Sequence, residues 1–203
     1  MTLTTFDLLT EQTTNDQIHI FNGISWHQYQ EITAGREGDS HYKISYLDRV
    51  LEIVSPGKKQ EFIKELTGIL IVAYCDTKDI EYYPLGSTTL KNESRKVAKE
   101  PDISYAIGED KDIPDIAVEV NYSSGGVDDL ARYLELGVPE VWMWEQDETL
   151  TFYLLANNQY SKREQSSVLK NLPSKLISKF VNLMTETSPR LAKKEFIKTI
   201  ENL

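Results

Sequence analysis

Two aspartates and a glutamate stand near the middle of the chain, in types and spacings that suit a divalent cation. Asp102 follows Pro101, Asp115 follows Pro114, and Glu119 lies four residues further on, inside the apolar run Ile116 to Val120. An oxygen-liganded metal needs two or three such carboxylates within about 2–2.5 Å of one point, and the ion then neutralises a phosphodiester and acidifies water. Four residues of strand span roughly 13 Å. Asp115 is therefore too far from Glu119 to share an ion and reads as the residue that starts its strand. Asp102 and Glu119 remain, and the stretch "GEDKDIP" between them reverses the chain. An antiparallel hairpin would bring the start of the first strand beside the end of the second. Burying a lone carboxylate among Ala117, Val118 and Val120 is costly, so Glu119 calls for a cation or a proton.

The elements that must position this pair follow from periodicity. "SWHQYQEITA" reads as a short helix capped by Ser25 and ended near Gly35 and Gly38. "HYKISYLDRVLEIVS" alternates in two runs about Asp48 and Arg49, a hairpin signal. From Lys58 to about Asp76, Phe62, Leu66, Ile69, Leu70 and Ala73 recur at helical spacing, with Pro56 and Gly57 marking the start. "IEYYPLG" and "STTLK" read as strands around a Gly86 break, followed by "NESRKVAKE" as a polar loop. "DISYAI" and "DIAVEV" are the two strands carrying the acids, the second directing Ile116, Val118 and Val120 one way and Asp115, Ala117 and Glu119 the other. A glycine turn at "SSGG" opens a helix with Val127, Leu130 and Leu134 on one face, ended by Gly137. "VPEVWMWEQ" and "TLTFYLL" give further strands turned at Gln146 to Glu148, and "SKLISKFVNLM" and "RLAKKEFIKTIENL" are helical. The pattern is an α/β sandwich around a mixed central sheet flanked by helices, not a series of regular βαβ units.

Composition narrows the chemistry. The 203 residues suit one domain, with a core over about 20–185 and a C-terminal helical segment over about 174–203. One cysteine, Cys75, permits neither an intrachain disulfide nor a thiolate cluster, and within "ILIVAYC" it reads as a buried hydrophobe. His19, His27 and His41 match no zinc spacing, so any metal would be magnesium or manganese held by oxygen. The net charge of −10 argues against a broad phosphate-binding surface. Residues 170–203 hold seven Lys or Arg against three Glu, leaving −14 on the first 169. That basic end reads as a solvated helix surface. With no long apolar run and no basic-then-apolar leader, the chain is expected to be cytoplasmic and off the membrane.

Pro101-Asp102, sixteen intervening residues and then Glu119-Val120-Asn121 resemble the PD-(D/E)XK nuclease signature. The phrases "YLDRVLEIVSPGKKQEFIKELTGILIVAYC", "YYPLGSTTL", "EPDISYAI" and "DIAVEVNYSSGGVDDLARYLELGVPEVWMW" resemble, in that order, the bacterial Uma-type restriction endonuclease family. The resemblance implies a restriction-endonuclease-like fold, magnesium or manganese as cofactor, DNA as substrate, and Asp102 and Glu119 as metal ligands. It also implies a third acid from the first core helix, for which Glu61 is preferred over Glu65 because it is nearer the helix start.

The resemblance breaks at the catalytic lysine. Asn121 stands two residues after Glu119, and Asp129 stands on the next helix, one turn before Tyr133, where family members often carry it. Arg132 is the nearest replacement, as a phosphate clamp and not a base. Gln60 takes the place of a family histidine after the Ser-Pro segment, with Lys58 and Lys59 beside it to face the substrate. Two readings result: a metal-dependent DNA endonuclease using Asp102, Glu119 and Arg132, or a catalytically impaired relative serving as a binding or oligomeric module. Trp142 and Trp144 alternate onto one sheet face and read as core. The apolar face of Leu176 to Met184 could pack on the body or on a second subunit, and a homodimer would suit cutting both strands of a duplex.

Overall fold

The computed structural model describes residues 16–36, 42–121 and 129–203. Gly38, His41, the Ser123 to Gly126 turn and Val127 lie outside the described residues.

The elements run β1 (Gln17–Asn22), α1 (Trp26–Thr33), β2 (Lys43–Leu47), β3 (Val50–Ser55), α2 (Lys58–Lys78), β4 (Tyr82–Pro84), β5 (Leu90–Asn92), β6 (Val97–Lys99), β7 (Ile103–Ile107), β8 (Ile116–Val120), α3 (Asp129–Leu136), β9 (Glu140–Trp144), β10 (Leu150–Ala156), β11 (Gln159–Arg163), α4 (Ser174–Glu186) and α5 (Pro189–Ile200). They build two sheets. A five-stranded antiparallel sheet has the order β1-β3-β2-β6-β5, and a six-stranded mixed sheet has the order β11-β10-β9-β8-β7-β4.

Local chemistry explains most boundaries. Ser25 and Gln28 form the two reciprocal bonds of a capping box at the start of α1. Asp48 and Arg49 both take positive φ, 48° and 66°, which gives the two-residue turn between β2 and β3 the twist its strands require. The β7–β8 hairpin is antiparallel, with Ile103 opposite Val118. β8 and β9 run parallel, which demands a crossover, and α3 lies within it.

The period of two in β8 separates two cores. Ile116, Val118 and Val120 join Trp142, Trp144, Phe152 and one face of α2, with α4 and α5 behind. Ala117 points the other way, into a smaller core with Val141, Met143, Tyr133 and Leu136, which Leu47, Leu90 and Val97 of the five-stranded sheet complete. The two sheets thus meet face to face beside α3. The outer face of the five-stranded sheet packs Ile44, Tyr46, Leu51, Ile53 and Ala98 against Tyr29 of α1.

Three expectations need correction. "NESRKVAKE" is not all loop, because Val97–Lys99 is a strand between β2 and β5 whose three residues are buried. On α2 the core face is Ile63, Leu66, Leu70, Ile71, Ala73 and Tyr74, whereas Phe62 and Ile69 are 45% and 37% exposed. Two apolar lines at helical spacing compete along this helix, and the one facing β8, α4 and α5 is buried. β11 was not expected; Asn157 and Asn158, at φ 51° and 60°, make the hairpin turn leading to it. The Leu176 to Met184 face packs on the body, with Ile177, Phe180, Val181 and Met184 in the larger core. No described helix is long and apolar enough to cross a membrane.

Candidate active site at the seam between the sheets

The register that pairs Ile103 with Val118 puts Asp102 and Glu119 next along the same pair of strands, at the end the hairpin argument expects. Both are buried, Asp102 completely. Asp102 Oδ2 accepts a hydrogen bond from the Val120 N–H at 2.6 Å, and the carboxylate takes the Gln60 amide N–H at 3.3 Å. Lys43 Nζ is in direct contact with Asp102 Oδ1. Glu119 Oε1 accepts the Tyr133 hydroxyl, and Oε2 lies 3.2 Å from Lys99 Nζ.

These lysines come from the opposite sheet. Alternation turns Lys43, Ser45 and Leu47 of β2, Glu52 of β3, and Val97 and Lys99 of β6 away from α1 and toward the seam. Lys99 bridges Glu119 and Asp129, 3.0 Å from Asp129 Oδ1, with Nζ 6.0 Å from the centre of the Tyr133 ring. Arg132 donates to Asp129 at 2.7 Å and to Glu52 at 3.3 and 3.4 Å. Four carboxylates, Glu52, Asp102, Glu119 and Asp129, therefore face three cations, Lys43, Lys99 and Arg132.

The electrostatics follow from burial and pairing. Desolvation pushes Glu119 above the ordinary carboxylate range although Lys99 opposes it. Burial also works against ionised Asp129, but Lys99 and Arg132 outweigh it and hold that carboxyl below its usual value. Lys99 is the mirror case: Asp129 and Glu119 outweigh burial and keep its pKa above that of an ordinary lysine. Burial draws Lys43 down to about 8. The Tyr133 hydroxyl, buried beside Glu119, is held well above its usual pKa and so remains a donor.

The expected residues are distributed unevenly. Gln60 meets Asp102, and Glu119 lies at the same end of the β7–β8 pair. Glu61 pairs with Lys64 and its side chain is 41% exposed, and Lys58 is exposed at the start of α2. Arg132, expected as a phosphate clamp, has no exposed surface; its guanidinium spans Asp129 and Glu52 and fixes their positions. Asp115 stands at the entry to β8, immediately before Ile116, accepting the Ile107 N–H at 2.7 Å and pairing with Lys111. Lys43, Glu52 and Lys99 were missed. Glu52, flanked by Leu51 and Ile53, meets the criterion that singled out Glu119, a carboxylate inside an apolar strand.

The oxygen donors here are of the type a hard divalent cation takes, although Lys43 and Lys99 sit on the two carboxylates. Asp102 immediately precedes β7 and Glu119 lies on its partner β8, and the buried Gln60 Oε1 has no hydrogen-bond partner, a spare neutral oxygen beside Asp102. Among the described residues, no three acidic, histidine or cysteine side chains are grouped closely enough to hold an ion by themselves. Gln60 would thus have to make up the set.

The fold is restriction-endonuclease-like: a mixed sheet carrying its acids on an antiparallel pair, with helices packed on it. A family model described as "Putative restriction endonuclease", Uma2, matches residues 26–183, and the chain belongs to that family. The same membership points to a nuclease-like function and implies DNA as the substrate. No curated protein sequence matched the chain.

Proposed function

We propose that the protein is a magnesium- or manganese-dependent endonuclease that hydrolyses phosphodiester bonds in DNA. The observation supporting this is the placing of Asp102, just before β7, and Glu119, on β8, at one end of the antiparallel pair, with the unpartnered Gln60 oxygen beside Asp102. A divalent ion held there would supply charge neutralisation at the scissile phosphate and lower the pKa of water. Asp102 and Glu119 would donate the anionic oxygens and Gln60 the neutral one. Tyr133 orients Glu119 through its hydroxyl, and the Val120 N–H orients Asp102. Lys58, exposed at the N-terminal end of α2, is available to the DNA backbone. A duplex cut on both strands calls for two such sites, and light scattering on protein–DNA mixtures tests whether a homodimer provides them.

The direct assay incubates supercoiled plasmid with the protein and magnesium or manganese. Nicking is expected, with loss in Asp102→Asn and Glu119→Gln; cleavage that survives unchanged in both folded variants would falsify the proposal. A second reading, a non-catalytic relative that keeps the scaffold for binding, draws on one observation: Lys43 is in contact with the Asp102 carboxylate that an ion would use. If that contact blocks the site, the wild type cuts nothing and Lys43→Met takes up manganese that the wild type does not.

A further inference from the structure

We infer that Lys99, carried by β6 and held by Asp129, is the cation that serves the reacting phosphate and its attacking water. The inference rests on the nuclease reading above. The lysine expected from α3 is replaced by Asp129, which on sequence grounds looks like a lost charge. The structure changes that, because Asp129 does not leave the position anionic: it draws in Lys99 from the opposite sheet, and Lys99 reaches Glu119 Oε2 at 3.2 Å. The positive charge is present beside Glu119, supplied from a different strand.

Lys99 is the cation paired with Glu119, while those nearby sit on other carboxylates. Arg132 is fully buried between Glu52 and Asp129. Lys43 is on Asp102. A lysine ammonium carries three donors, and Glu119 and Asp129 account for two of those on Lys99. Its stem is fixed by β6, and its head lies near the Tyr133 ring, so the charge is positioned before any substrate arrives. Asp129 also lies in the first turn of α3, where the helix dipole favours an anion, so it is a stable anchor for the displaced lysine.

The test compares Asp129→Asn with Lys99→Met/Asp129→Asn, two proteins that differ only in the ammonium and leave no unpaired Asp129 carboxylate. Three measurements are made: urea denaturation, calorimetric titration with manganese in the absence of DNA, and plasmid cleavage with manganese. Both variants are expected to unfold cooperatively. The double variant should bind manganese several-fold more tightly, since a positive charge beside Glu119 is gone, and should cut about a hundredfold more slowly, the loss typical of removing one transition-state donor. Equal cutting, or equal manganese affinity, overturns the assignment while leaving the nuclease reading intact. A wild type that neither takes up manganese nor cuts removes that reading and the assignment with it. Should the methionine variant fail to fold, Lys99→Gln/Asp129→Asn, whose amide keeps a hydrogen bond to Glu119, is judged by the same criteria.

Discussion

Replacing Asp102 with alanine removes two things at once. Lys43, only 8% exposed, loses the carboxylate its ammonium contacts, and the buried Val120 N–H loses the acceptor 2.6 Å away. Breaking a buried pair from one side costs about 3–5 kcal/mol, because the remaining charge is left uncompensated. An unsatisfied buried N–H adds about 1–3 kcal/mol. The two losses share one side chain and do not simply add, so about 4 kcal/mol is expected, a large share of a stability typically of about 5–15 kcal/mol. Lys43→Met/Asp102→Ala removes both charges and should recover about 2 kcal/mol of that loss, leaving mainly the unpaired N–H. Urea unfolding followed by tryptophan fluorescence suits the measurement, since Trp142 and Trp144 lie in the larger core. The reasoning fails if Asp102→Ala costs under about 1 kcal/mol, or if the double variant is no more stable than the single one. Cleavage assays must therefore use Asp102→Asn and verify its folding, or lost stability will be mistaken for lost chemistry.

Other outcomes follow from the same geometry. Glu140 is fully buried and accepts from the Trp142 indole and the Ser166 hydroxyl, both at 2.6 Å, and from the Ser167 N–H at 2.7 Å. Glu140→Ala should cost about 3–5 kcal/mol through unmet donors, and a loss below about 1 kcal/mol in urea would contradict that network. Leu70→Ala should cost about 2–5 kcal/mol as a core cavity, whereas Phe62→Ser, on the exposed line of α2, should change stability by no more than about 0.5 kcal/mol; equal losses would mean that the two faces are misassigned. Burial pushes Cys75, Tyr29 and Tyr105 up to about 12 from ordinary values of 9.0 for the thiol and 10.0 for the phenols. The unfolded chain ionises first, so their contribution is complete below about pH 9 and is lost as pH rises toward 12. Urea midpoints should fall through that window, less steeply in Cys75→Ala, and a flat profile would contradict the burial.

The fold was largely legible because its signals are local. Period-two runs marked β2, β3, β7, β8 and β9, the capping box marked α1, and the "GEDKDIP" reversal put Asp102 and Glu119 at one end of a hairpin. Less of the site could be read, because its cations are brought in by sheet packing. Lys43 and Lys99 belong to strands whose partners across the seam are distant in sequence, and a lysine in a three-residue strand looks like loop until the carboxylate opposite is known. Arg132 was placed on the correct helix, but its burial depends on Glu52, 80 residues away. The same packing revises the expectation about Asp129: a lysine there would replace the carboxylate that Lys99 and Arg132 approach at 3.0 and 2.7 Å, and would add to existing positive charge instead of restoring a missing one.

The order of residues across the seam bears on how the protein matures. Lys43, Glu52 and Lys99 all precede Asp102, Glu119 and Arg132 along the chain. During synthesis both lysines are therefore made before either acid they neutralise, so the seam cannot form until the β7–β8 hairpin follows. Its ion-pair set is completed last, when Arg132 reaches back to Glu52 across 80 residues of chain.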